Sequence, residues 1–138
     1  MNNLIRAVIF MALAGLSTVA SAAEFDGGKS LICASRSVNE CVMGKHCTHV
    51  APEDINIPDF FFVNVKSKVI KGNGNKTPIE RVEHLDGKLI LQGADDGVED
   101  VRDGMGWTMA IDEETGKMLL SASGDGFAVV VFGACTPG

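Results

Sequence analysis

The chain has no tyrosine and a single tryptophan, Trp107. Proteins that grip sugars or single-stranded nucleic acid stack them on exposed rings, and this sequence has almost nothing from which to build such a platform. Basic residues are scarce too: 12 Lys and Arg stand against 18 Asp and Glu, for a net charge of −6. Without a basic face the phosphates of a nucleic acid cannot be neutralised, which excludes nucleic acid as a partner. A cationic protein is what such a charge permits. The marks of an enzyme are also missing. No G-x-S-x-G elbow surrounds a serine. The adjacent carboxylates Asp95-Asp96 and Glu113-Glu114 sit on turns instead of facing each other across a cleft. Ser121, Ser123 and Asp125 lie together, but no spacing ties them to His84 in a triad. No catalytic residue and no cofactor is expected.

Metal sites fare no better. Cys41, His46, Cys47 and His49 are suitable zinc ligands in type, but Cys-x4-His-Cys-x-His is not the spacing of a common finger. The acidic stretch from Asp95 to Asp103 is dense in carboxylates, yet it lacks the D-x-[DN]-x-[DN]-G order that wraps a calcium ion. A solvated surface loop is the simpler reading.

Long apolar runs are absent except at the start. Arg6 precedes an apolar run over residues 7–16, and small residues follow, ending Ala20-Ser21-Ala22-Ala23. This pattern predicts a signal peptide over 1–23 and one domain over 24–138. The apolar core is shorter than the roughly 20 residues that span a bilayer, so no membrane anchor is expected after cleavage. Arg6 would leave with the leader and take the net charge from −6 to −7. About 115 residues then remain, enough for one small core. The expected location is periplasmic or secreted.

All four cysteines lie beyond the leader, an even number for an oxidising compartment. Three pairings are open in principle. Gly44 lies midway between Cys41 and Cys47, so a hairpin centred on Met43-Gly44-Lys45 sets those two opposite each other and leaves Cys33 with Cys135.

What the chain does have is short strands and turn signals. Trp107, Met109 and Ile111 alternate with Thr108 and Ala110, and Met118, Leu120 and Ala122 alternate with Leu119, Ser121 and Ser123. Residues 127–132 (FAVVVF) are apolar on both faces, which predicts burial on both sides or closure against another strand. Asp86-Gly87 between 79–85 and 88–92 is the strongest hairpin signal. Weaker strands are expected over 31–38, in a small hairpin over 39–49, and over 60–65 and 69–71. Loops are expected over 50–59, 72–75 and 94–106. The predicted fold is an all-β, antiparallel up-and-down meander of eight or nine strands in a small closed barrel, with a compact β-sandwich as the alternative.

Phe60-Phe61-Phe62 is the most suggestive stretch for binding. Consecutive side chains on a strand point to opposite faces, so three phenylalanines cannot all enter one core. Cover by the 50–59 loop is the simpler expectation; a small apolar ligand in the barrel mouth or interior, lined by these rings, Trp107 and the Met side chains, is the functional one.

The ending Phe132-Gly133-Ala134-Cys135-Thr136-Pro137, with Gly106-Trp107, the turn from Ile111-Asp112 to Thr115-Gly116 and the Asp86-Gly87 hairpin, resembles small uncharacterised proteins exported by proteobacteria. That resemblance implies a periplasmic β-barrel and brings no activity with it. Ser123-Gly124-Asp125-Gly126-Phe127 is similar in part to the inhibitory loop of the periplasmic inhibitors of C-type lysozyme, which carries Ser-Gly followed by an aromatic. Here the basic residue before the aromatic is missing and the aromatic is Phe. The resemblance implies a protein-interaction module with Ser123, Gly124 and Asp125 at its contact.

Overall fold

A computed structural model of the chain describes residues 24–97 and 99–138; the predicted leader falls outside the described residues. The strands are β1 Leu31–Val42, β2 Thr48–Val50, β3 Phe60–Asn64, β4 Val69–Gly72, β5 Asn75–Pro78, β6 Arg81–Leu85, β7 Lys88–Asp95, β8 Met105–Asp112, β9 Lys117–Ser123 and β10 Phe127–Pro137. Among the described residues the one helical element is a 3-10 turn, Pro52–Ile55, and no helix is long and apolar enough to cross a membrane.

All ten strands belong to one sheet in the order β5-β4-β3-β1-β10-β9-β8-β7-β6, with β2 paired to β1 off this path. Every pairing is antiparallel. The fold is therefore all-β, as the alternation predicts, but the strand count and the closure need correction. There are ten strands, not eight or nine, and the barrel is an open, curled half-barrel. The sandwich does not arise, because there is one sheet.

The opening has a physical cause. Eight antiparallel pairings separate β5 from β6 along the sheet, an even number of reversals, so the two edges run in the same sense. Parallel neighbours need a crossover of about a dozen residues, whereas only Ile79 and Glu80 join β5 to β6. The chain simply changes neighbours there: the Ile79 N–H donates to the Lys68 carbonyl and the Glu80 N–H to that of Gln92. Thr77 Oγ1 donates to Asp95 Oδ2 at 3.0 Å and holds the two sides together at the corner.

The seam between first and last strands is the longest pairing, from Leu31↔Pro137 to Val42↔Phe127. Cys33 and Cys135 lie directly opposite each other in it and are bridged. Cys41 and Cys47 are bridged across the β1–β2 hairpin, as the central Gly44 implies, and among the described residues no cysteine is free. A register shift between Ser35 and Ser37 moves the inward phase of β1 from Leu31 and Cys33 to Val38. That bulge is why the alternation of β1 is weak in the sequence.

Inward positions fill the half-barrel. Leu31, Val38, Val63, Leu89, Leu91, Met109, Ile111 and Val131 are almost wholly buried. Trp107 points inward as well and packs on Gly93, where a Cβ would stand 2.6 Å from the indole ring and 2.6 Å from the Pro78 carbonyl oxygen. At one end Phe25 caps the core: its ring covers Gly116, and its N–H donates to the Glu113 carbonyl. Nothing in the sequence pattern singles out Phe25.

Candidate functional site: the outer face of the sheet

Alternation assigns each strand residue to the filled interior or to the outer face, and it divides the predicted site. Phe61 points inward beside Val63 and is 7% exposed, whereas Phe60 and Phe62 point outward and are 54% and 51% exposed. Trp107 lies on the inner side. The three phenylalanines and Trp107 therefore do not come together in a barrel mouth. Nor does the 50–59 loop cover the outer pair. Val50, Ile55 and Ile57 pack against the core instead, and the Pro58 carbonyl accepts the Ser35 hydroxyl at 2.7 Å.

The β10 stretch also divides by face. Val129 and Val131 are buried, while Val130 is half-buried and Phe132 is 46% exposed. FAVVVF is thus not buried on both sides; of the two expectations it is closure against other strands that holds, with β1 and β9 paired to it. Its outward members join a larger surface through cross-strand register. Leu119 lies opposite Phe132, Ala110 opposite Leu119, and Ile90 opposite Ala110. A second row runs Thr136, Ile32, Phe62, Lys71, Lys76 across β10, β1, β3, β4 and β5. A third runs Lys117, Ala134, Ala34, Phe60. Directly opposed side chains stand about 5 Å apart at Cβ, so these rows make one continuous apolar face, with Ala34 and Ala134 low between the projecting rings.

Charge is sorted along with polarity. Lys71, Lys76 and Lys117 stand on this face, and among the described residues no Asp or Glu occupies an outward position of β1, β3, β4, β5, β9 or β10. Most acids lie in the turns and loops at the ends; Glu83 is an exception, on β6 opposite Ile90 where the first row stops being apolar. At one end the β9–β10 turn meets the β7–β8 loop: a Cβ on Gly124 would stand 3.3 Å from the Gly104 carbonyl oxygen. Ser123 and Asp125 are exposed there beside the acidic stretch. Part of that stretch is internally bound, since Asp95 Oδ1 accepts the Gly97 N–H at 2.9 Å. Among the described residues no three His, Cys, Asp or Glu side chains group as cation ligands.

The opposite end carries a compact ionic cluster. Lys88 Nζ lies 3.0 Å from Asp112 Oδ2, and Asp112 Oδ1 also accepts the Thr115 N–H at 2.8 Å and its hydroxyl at 2.9 Å. Hydrogen bonds from Lys88 and then Thr115 hold the Asp112 carboxyl well below the usual carboxylate range, and Asp112 raises Lys88 in return. His84 Nδ1 hydrogen-bonds Glu113 Oε1 at this end. Ser123 and Asp125 lie at the other end of β9, so His84 does not meet them.

Between the two ends an open groove crosses the strands, with Glu80, Arg81, Gln92, Thr108, Ser121 and Ser123 supplying its polar lining. Gln92 Nε2 donates to Thr108 Oγ1 at 3.3 Å across it. Beneath, Trp107 Nε1 is buried without a hydrogen-bond partner.

Sequence reasoning missed Ile32, Lys71, Lys76, Leu119 and Phe132 as members of one surface. The alternation of β9 and β10 held the signal for the last two; the rest needed the strand order. Comparison of the chain with protein-family models, with curated proteins and with solved structures gave no match.

Proposed function

We propose that the protein is a non-enzymatic binding module of the periplasm or extracellular space, and that it meets its partner through the outer apolar face of β3, β1, β10 and β9. One observation carries the reading: Phe60, Phe62, Phe132 and Leu119 remain 40–54% exposed on a contiguous face while the interior is already packed. Small soluble domains rarely leave such a patch uncovered unless something binds it. An apolar ligand is compatible with this surface and less so with the interior, where inward positions are filled by side chains. The two disulfides fit an oxidising compartment.

The test is site-specific photo-crosslinking in cells. A photoreactive residue at Phe62 should give discrete adducts, while the same residue at Lys45, exposed on the β1–β2 turn, should not. Equal labelling at both positions, or none at Phe62, would remove the reading.

A second reading rests on the acidic end, where the β7–β8 loop and the Ser123-Gly124-Asp125 turn are adjacent. This end would dock a cationic protein, a C-type lysozyme in the case the loop resemblance implies. Inhibition of lysozyme should then weaken with salt and with Ser123→Ala or Asp125→Asn. Inhibition that is absent, or indifferent to both changes, counts against it.

A further inference from the structure

The outer face presents a combination of residues that selects among occupants. Phe60 and Phe62 project from β3, Ile32 lies beside Phe62 on β1, and the row through Phe62 continues into Lys71 and Lys76. Lys66 and Lys68 follow on the β3–β4 turn, and Lys29 and Lys66 line a recess there with Ser30, Asn64, Ser67 and Gly138. Glu53, Asp54 and Asp59 precede the Phe60 end of β3. At the Asn64 end Lys29, Lys66, Lys68, Lys71 and Lys76 stand against Asp26, which accepts the Gly28 N–H beside the recess, and Glu80, which follows the Ile79 bonded to the Lys68 carbonyl, so lysine is in excess there. In a chain of net charge −6, this sorting leaves a cationic strip flanking two exposed rings.

We propose that this face docks on the surface of an anionic phospholipid bilayer, Phe60 and Phe62 entering the interface and Lys71, Lys76, Lys66 and Lys68 meeting lipid phosphates. The proposal rests on the outer face being the recognition surface and names its partner. A second copy of the chain fits the same face poorly, since among the described residues no Asp or Glu stands outward on β1, β3, β4, β5, β9 or β10 and a two-fold contact through that face would leave the lysines of both copies without a partner of opposite charge. Aromatic rings sit well at the headgroup level, and juxtaposed lysines are drawn to anionic lipid. The attachment is peripheral and uses strands, so it needs no membrane-spanning segment. The convex sheet limits the contact to a few strands, which matches the narrow band from β1 to β5 that carries both kinds of side chain.

Vesicle co-flotation tests the proposal with the purified protein. The protein should float with phosphatidylglycerol-containing vesicles, not with phosphatidylcholine alone, and raising the salt should weaken the association. Lys71→Gln with Lys76→Gln should reduce binding by at least about tenfold, and Phe60→Ser with Phe62→Ser should abolish it, while Lys45→Gln leaves it unchanged. The lysine pair is exposed, so that variant reports on binding even if the phenylalanine variant is destabilised; intact-mass and thermal-melting checks identify the folded ones. Failure to float, binding indifferent to lipid charge, or wild-type binding by the lysine variant would overturn the proposal. If flotation fails while Phe62 crosslinks to a protein, the bilayer is wrong and the outer face stands. If both fail, both are wrong.

Discussion

Gly93 shows how much one missing methyl group decides. Trp107 is the largest side chain in the core, and its indole lies where a Cβ on residue 93 would stand, 2.6 Å from that position. The Pro78 carbonyl oxygen is equally close and belongs to backbone, which cannot swing aside. Gly93→Ala should therefore destabilise the protein by about 1–3 kcal/mol, the usual cost of overpacking. The comparison is of urea midpoints, and an unchanged midpoint would mean that the indole has room to move. Asp112 provides a residue-scale prediction of another kind. Its carboxyl is held below the ordinary carboxylate range when folded, so its contribution to stability is present above the unfolded value and fades as pH falls through the folded one. Asp112→Asn should melt below the wild type at neutral pH, and the gap should close in strong acid, beneath the normal carboxylate range. A gap constant across that range would show that the Lys88 and Thr115 contacts act on packing alone.

At the scale of elements, the two disulfides do different work. Cys33–Cys135 closes a loop with a sequence separation of 102, and Cys41–Cys47 one of 6. In the chain-entropy model the first is worth about 4–5 kcal/mol and the second about 2. Removing each pair as serines should reproduce that order in denaturant midpoints; the reverse order would mean that the small hairpin orders more than itself. The elements also differ in how openly the sequence declares them. Asp86-Gly87 declares its hairpin, and both residues adopt the positive φ that such a two-residue turn requires, +50° and +70°. β5 is silent, because Asn-Lys-Thr-Pro has neither apolar alternation nor β-branched density and is held by pairing with β4. Phe60 and Phe62 are legible as a pair opposed to Phe61 by simple alternation. Their exposure is not, because it depends on where the 50–59 loop packs, and its apolar residues Val50, Ile55 and Ile57 go to the core.

For the whole molecule, closure is a counting property that no local stretch contains. Eight reversals make the two edges co-directional, and the short joint between them forbids the crossover a parallel pair would need. β5 and β6 consequently have a neighbour on one side each, whereas β1 and β10 lie inside the sheet. Hydrogen exchange followed by mass spectrometry should find the amides of 75–85 exchanging well before those of 31–42 and 127–137. Uniform protection across both regions would mean that the corner at Ile79 and Glu80 closes the ring after all. The outer face follows from the same ordering. Rows that join β10, β1, β3, β4 and β5 exist only because the first strand lies between the third and the last.

That placement also sets a clock. β1 is made first, but its longest partner, β10, ends at Pro137. At roughly 5–20 residues per second, several seconds separate the two during synthesis. Throughout that interval the strand that will sit at the centre of the sheet is an unprotected edge, and Cys33 is a thiol whose proper mate does not yet exist. The hairpin that pairs β2 with β1 gives no cover there, because residues 38–40 pair with β2 on one side and with β10 on the other, and the edge toward β10 waits bare for the end of the chain even once Cys41 and Cys47 are joined.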